Sequence, residues 1–228
     1  MSESANATPE MKTNTPLSLG GILSDHGMFC LHGIAGADLG LNNAVPSSLS
    51  LKERFRIVIG SLPEISTAIY RKDCLGNQTS LWGNIGIILR DGDLQFANRF
   101  DAGTTVSGGR RNIATQSEEE RLSIIGEIDI WQQSHGKLSV LNEVVVSDPK
   151  IAGLYFKDTS GLSPRQINRD QTTAQPNHIP KIISELAEEL DLPVYAIRTT
   201  GVYEIIRSDE SGRYNFLTDA IKSEPHFG

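Results

Sequence analysis

The stretch SVLNEVVVSDPKIAGLYF, residues 139–156, constrains the fold more than any other part of the chain. Two apolar runs, NEVVV and IAGLYF, stand either side of SDPK. Each is too short for a buried helix; NEVVV is rich in Val and IAGLYF carries Ile, Tyr and Phe, so both read as strands. Strands of this kind fold only where a sheet covers them. Glu143 heads the first run. A carboxylate at that place either faces water on an edge strand or is set there for chemistry, and the sequence leaves both readings open.

Other segments supply partners for such a sheet. GMFCLHGIAG (27–36) is an apolar run closed by glycines, a strand followed by a turn, and ISTAIYR (65–71) is a β-branched strand. LWGNIGIILRDGDLQFANRF (81–100) reads as a hairpin in which Ile85, Ile87, Ile88 and Leu89 form one strand, RDGD turns the chain and LQFANRF returns. LPVYAIRTTGVYEII (192–206) gives two short strands about a turn.

Three segments carry helical periodicity instead. In 50–62, Leu51, Phe55, Val58, Ile59 and Leu62 make a stripe with Ser50 as N-cap. In 117–133, Ser117 and Glu120 fit a capping box, and Leu122, Ile125, Ile128 and Trp131 step along one face. In 180–191, Pro180 takes the first helical position, with Ile182, Ile183, Leu186 and Leu190 on one side. Strands and helices do not alternate strictly as βαβ, which implies an α+β fold: a compact mixed or antiparallel two-sheet core with a few flanking helices.

A chain of 228 residues suits one sizeable domain. Residues 1–16, rich in Ser, Thr, Asn, Glu and Pro, are expected to be a disordered leader. The domain then spans 17–206, interrupted by loops at 101–112 and 157–178, and 207–228 reads as a polar tail.

Composition enters mainly by what it excludes. A net charge of −7 argues against a broad nucleic-acid surface, and the adjacent Arg110 and Arg111 do not make a basic patch. Cys30 and Cys74 form neither a disulfide framework nor a zinc pattern, so they read as buried thiols and no metal is expected. No window reaches the ~18 apolar residues of a membrane span, and no basic-then-apolar signal pattern opens the chain. A soluble protein is expected. P-loop, dinucleotide-fingerprint, nucleophile-elbow and zincin motifs are all absent.

What remains is an ordered set: CLHG, then AIYRKDCLGNQTSLW, then NIGIILRDGDL, then LNEVVVSDPKIAGLYF. With these residues the chain resembles the ADP-ribosyltransferases of the diphtheria-toxin and poly(ADP-ribose) polymerase type, whose active site is a His-Tyr-Glu set. The resemblance covers about residues 27–156. It implies NAD as substrate, a protein as acceptor, and His32, Tyr70 and Glu143 as catalytic residues. By the same resemblance, Gly33 offers its backbone to the nicotinamide carboxamide, where a Cβ would keep the main chain away. His32 bonds a ribose hydroxyl, Tyr70 stacks on the nicotinamide ring, and Ser80 adds a bond to the carboxamide. Glu143 grips the ribose and faces the positive charge that develops as the glycosidic bond breaks.

A second assignment within the superfamily takes Arg71, the TTVS of 104–107 and Glu143, with Arg71 on the NAD phosphates. Both assignments meet at Glu143. Family habit implies a toxin or effector delivered into another cell by a specialised secretion system; a cytoplasmic enzyme fits the same sequence. Residues 157–206 lie outside the resemblance and either contact the target or pack as an extra layer, of which packing is the expectation. Three other functions compete: NAD hydrolysis in the same pocket, a thiol hydrolase using Cys74 with His135, and a binding module whose pocket has lost its chemistry.

Overall fold

A computed structural model of the chain describes residues 17–34, 50–61, 63–73, 85–99, 116–135, 142–157, 179–198, 201–205, 207–208 and 214–215. The expected leader 1–16, the loop 101–112 and Ser80 lie outside these residues.

The helices are α1 (Leu19–Asp25), α2 (Leu51–Ser61), α3 (Glu118–His135) and α4 (Lys181–Leu190). The strands are β1 (Met28–Gly33), β2 (Glu64–Arg71), β3 (Ile85–Asn98), β4 (Glu143–Lys157), β5 (Val194–Arg198), β6 (Gly201–Ile205), β7 (Arg207–Ser208) and β8 (Tyr214–Asn215). The expected capping box at Ser117 and Glu120 and the expected N-cap Ser50 both form. The backbone N–H of Ser117 donates to Glu120 Oε2 at 2.7 Å while that of Glu120 donates to Ser117 Oγ at 3.1 Å, and Ser50 and Glu53 do the same at 2.8 and 3.3 Å. Pro180 sits at the N-cap of α4, one place earlier than its sequence position implies. No helix among the described residues is long and apolar enough to cross a membrane.

Six strands form a mostly antiparallel sheet in the order β2-β1-β3-β4-β5-β6, and β2 also pairs with β4. Strands β1, β2, β4 and β3 therefore close into a ring, with β5 and β6 continuing beyond β4. Strands β7 and β8 pair separately. The chain is α+β, as its sequence implies.

The expected hairpin at 81–100 is corrected by the structure. Residues 85–98 are one 14-residue strand, β3, and neither half pairs with the other. Ile85–Asp91 lies against Lys150–Phe156, and Asp93–Asn98 against Glu143–Ser147. SDPK likewise does not separate two strands: β4 runs through it for 15 residues. Both turn signals have become facing irregularities of one long ribbon, with register shifts on either side of Asp91. Gly92 has φ +148°, and a Cβ there would lie 2.4 Å from Val146 Cγ1. Opposite it, Asp148 takes the left-handed region at φ 46°. A glycine-type bulge and a two-residue hairpin turn ask for the same residues locally, because both place a residue at positive φ. Which one forms depends on where the partner strand lies.

Strand alternation divides the side chains into two faces. The first carries Met28, Cys30, Ile65, Ile69, Ile87, Val144, Val146 and Phe156, joined by Phe55 of α2, Ile125 and Ile128 of α3, and Ile183 and Leu186 of α4. The second carries Phe29, Leu31, Ala68, Tyr70, Ile88, Tyr155, Tyr195 and Ile197.

Residues 179–198 and 201–205, read as an extra layer, contribute Ile183, Leu186, Val194 and Ile197 to the core. Strand β5 runs parallel to β4, Leu154 opposite Val194, and a parallel pair needs a crossover connection, which α4 supplies.

Candidate functional site

Strand β2 organises the site because its two halves have different neighbours. Ala68–Arg71 pairs with Met28–Leu31 of β1 along one edge, and Glu64–Thr67 pairs with Val144–Ser147 of β4 along the other. Each ladder stops midway along β2, which would leave buried peptide groups unpaired at a cost of about 1–3 kcal/mol apiece. Side chains take over at both places.

On the β1 edge, His32 fills the gap. One residue beyond the last ladder pair, its Nδ1 lies 2.7 Å from the Ser66 carbonyl oxygen, which accepts its proton. That bond assigns the tautomer with Nε2 as an acceptor. Nε2 is buried and has no hydrogen-bond partner among the described residues. Burial pushes the imidazole pKa from 6.5 down to about 4, outweighing the carbonyl that favours the charged form, so His32 is neutral at neutral pH.

On the β4 edge the same work falls to two amides. Asn142 Oδ1 accepts the Ile69 N–H at 2.9 Å, and its Nδ2 donates to the Ile69 carbonyl at 2.8 Å. Gln132 of α3 donates to that carbonyl at 2.9 Å and accepts the Arg71 N–H at 2.7 Å.

Glu143 follows Asn142 directly and opens β4. Only 4 % of it is exposed, so it is not a solvated edge carboxylate. The Ser66 hydroxyl donates to its Oε1 at 2.9 Å. Ser66 thus joins two of the expected catalytic residues, His32 through its carbonyl and Glu143 through its hydroxyl. Alternation puts Glu143, Ser66 and Tyr70 on the second face of the sheet. His32 is in phase with Met28 and Cys30 of the first, and its ring reaches across to the β2 backbone where the strands part.

The other expected residues are distributed as follows. Tyr70 shares Glu143's face but is 1 % exposed, its ring centroid 5.9 Å from that of Phe29 within the aromatic cluster. Its neighbour Tyr155 is held well above the usual phenol range by burial and by Tyr70. Gly33 ends β1 directly opposite Gly86, where the two strands come close: a Cβ on Gly86 would lie 2.0 Å from the His32 carbonyl oxygen and 3.0 Å from Gly33 Cα.

Arg71 lies at the far end of β2, five residues or roughly 16 Å of strand from Ser66, and in phase with Ile69 on the first face. Its guanidinium donates to Asp73 twice at 2.8 Å, to Asp129 at 2.6 Å and to the His26 carbonyl at 3.2 Å. Asp73, then Asp129, hold it more firmly charged than usual. Asp129 also receives His26 Nδ1 at 2.8 Å. Burial works against the Asp129 carboxylate, but bonds from Gln133, His26 and Arg71 outweigh it and keep its pKa below the usual range.

Cys30 is a buried thiol bonded to Thr67 at 3.1 Å, and burial pushes its pKa up to about 12, far from a reactive thiolate. Ser80, Cys74 and residues 104–107 lie outside the described residues, as does the side chain of His135. Among the described residues, no three of His, Cys, Asp and Glu gather as metal ligands would.

Sequence reading passed over Ser66, Gln132 and the role of Asn142. Ser66 had a signal: Ser-Thr interrupts the otherwise apolar run of β2. Gln132 had none, since a glutamine near a helix end is ordinarily solvated.

Fold and site together define an α+β protein with a buried carboxylate and a neutral imidazole held on one strand. No family model, curated protein or solved structure matches the chain.

Proposed function

We propose that the protein is an ADP-ribosyltransferase, taking NAD as substrate and transferring one ADP-ribose unit to a protein acceptor, with Glu143 and His32 as its central residues. The observation that carries this reading is the placement of Glu143: a carboxylate 4 % exposed, at a strand head, gripped by the Ser66 hydroxyl that adjoins the His32 contact. Burying a carboxylate is costly, and a strand head held on both sides keeps it rigid.

The chemistry follows from that placement. As the bond between nicotinamide and ribose C1′ breaks, the pair of electrons leaves with nicotinamide and positive charge develops on the sugar. A fixed carboxylate stabilises that charge more than it stabilises the uncharged ribose, and so lowers the barrier. The acceptor nucleophile then bonds C1′ and gives up its proton. Neutral His32 suits a ribose hydroxyl, because its buried Nε2 is an acceptor with no partner among the described residues. Gly33, at its close approach to Gly86, is the main-chain element for the carboxamide. Tyr70 supports the reading less, since its ring must be uncovered before a nicotinamide can stack on it. Arg71 has its donors engaged with Asp73 and Asp129, which favours the His-Tyr-Glu assignment over the arginine one. A two-sheet cleft for an extended dinucleotide is the arrangement this reading asks of the two arms of the β3–β4 ribbon.

The test is incubation with adenylate-labelled NAD and cell lysate, beside Glu143→Gln and His32→Ala. Label on a protein, lost with Glu143→Gln, supports the transferase. Free ADP-ribose without labelled protein replaces it with NAD hydrolysis. No consumption of NAD and no binding leaves a binding module and removes the enzyme.

A further inference from the structure

Glu143 is held directly by Ser66, but the direction from which it enters β4 is set one residue earlier. The ladder between β2 and β4 ends at Thr67 opposite Val144. The next β2 group facing that edge is the peptide of Ile69, and the Asn142 side chain meets it with both an acceptor and a donor, at 2.9 and 2.8 Å. An amide side chain here imitates a strand peptide, extending the pairing past Glu143 without any backbone to do so. Asn142 is 2 % exposed, so neither bond competes with water. Glu143 is therefore clamped between a true ladder pair after it and an imitated one before it.

We propose that Asn142 is a positioning residue for Glu143: it locks the entry of β4 onto β2 so that the carboxylate meets the Ser66 hydroxyl in one orientation. Its effect on turnover rests on the transferase reading; the orientation of the carboxylate does not. Gln132 is the internal control. It bonds the same stretch of β2, to the Ile69 carbonyl and the Arg71 N–H, and is 3 % exposed, yet it belongs to α3 and has no chain connection to Glu143.

The experiment compares Asn142→Ala with Gln132→Ala in the full chain. Three quantities are read: amide hydrogen exchange, the side-chain carboxyl carbon signal of Glu143 in labelled protein (identified by its loss in Glu143→Gln), and NAD cleavage. Asn142→Ala is expected to speed exchange at Ile69, shift the Glu143 signal and lower kcat roughly 10- to 100-fold, the penalty of a misplaced catalytic group, with little change in KM. Gln132→Ala is expected to speed exchange at Arg71 and leave the Glu143 signal and kcat near wild type. If the alanine variant does not fold, Asn142→Asp, of the same shape but lacking the donor, carries the comparison on the Glu143 signal. A Glu143 signal unchanged by loss of Asn142, or moved equally by loss of Gln132, overturns the proposal. Wild-type protein that cleaves no NAD, with the Glu143 shift present in Asn142→Ala, overturns the transferase reading and leaves the positioning role standing.

Discussion

At one end of β2, Arg71 donates to Asp73, Asp129 and the His26 carbonyl, so a positive group is matched by two negative ones. At the other end, Ser66 holds a neutral imidazole with its carbonyl and a buried carboxylate with a neutral hydroxyl. Both ends contain residues that the sequence marks for chemistry. At the Arg71 end the charges meet one another, and the cluster fastens the turn before β1 and helix α3 to β2. At the Ser66 end the buried carboxylate counts the Ser66 hydroxyl among its partners, and the imidazole keeps a buried acceptor with no partner among the described residues.

The sharpest way to break this comparison is by activity. On the proposed transferase reading, Glu143→Gln should lower NAD cleavage about 10²- to 10³-fold, as loss of a main electrostatic stabiliser does, while Arg71→Ala, assayed well below its unfolding temperature, should stay within about threefold of wild type if Arg71 makes no transition-state contact. The reverse ranking in side-by-side initial rates would move the site to the other end of the strand.

Next in size is Gly86→Ala, aimed at the neutral end. The new methyl would stand 2.0 Å from the His32 carbonyl oxygen, a backbone atom that cannot step aside alone. A loss of about 3 kcal/mol in urea unfolding is expected, the upper range for overpacking. A loss under about 1 kcal/mol would mean that β1 and β3 do not approach so closely there.

The charged end is probed by Arg71→Ala beside Asp73→Ala. Removing Arg71 leaves Asp129, with only 13 % of its side chain exposed, without its cation, and should cost about 1–3 kcal/mol. Asp73 is 65 % exposed, and its removal should change stability by less than about 1 kcal/mol. Equal losses would show that the inner pair is not the one that matters.

The last comparison concerns pH. The His32 pKa is about 4 when folded against an ordinary 6.5, so between these values the unfolded chain binds the proton and the folded chain does not. His32 therefore adds stability that is complete above about pH 6.5 and is lost as pH falls toward 4, by at most about 1.4 kcal/mol per pH unit. His32→Asn, whose amide N–H can still reach the Ser66 carbonyl, should flatten the stability curve in that window. The Asp129 contribution, from a depressed pKa, is lost only below its ordinary 3.8, so the two ends separate on the pH axis. A variant curve that still falls between pH 6.5 and 4 would assign the acid loss to other groups.

Much of the local structure was legible in the residues. The Ser117–Glu120 capping box and the Ser50 N-cap form as read, because their bonds reach only three residues along the chain. The stripe Ile182, Ile183, Leu186 predicts the face that α4 buries, since helical period is a local property. The β3 hairpin misled because Asp-Gly states only that the backbone takes positive φ, not what pairs on either side. The site was half legible. Glu143 and His32 stood out by type and setting, whereas Asn142 and Gln132 act on peptides 73 and 63 residues away along the chain.

What the sequence alone determined is therefore what depends on neighbours within a few residues: which runs are strands, where α2, α3 and α4 begin, and that a carboxylate heads an apolar strand; helix α1 passed unread, and Leu122, on the expected apolar face of α3, is 39 % exposed. The tertiary structure decided that β2 changes partners midway. That change leaves peptide groups of β2 unpaired in the interior, and the cost of burying them unmet draws His32 to one edge and Asn142 to the other. The carboxylate of Glu143 stands where those two repairs meet, a position no local pattern encodes.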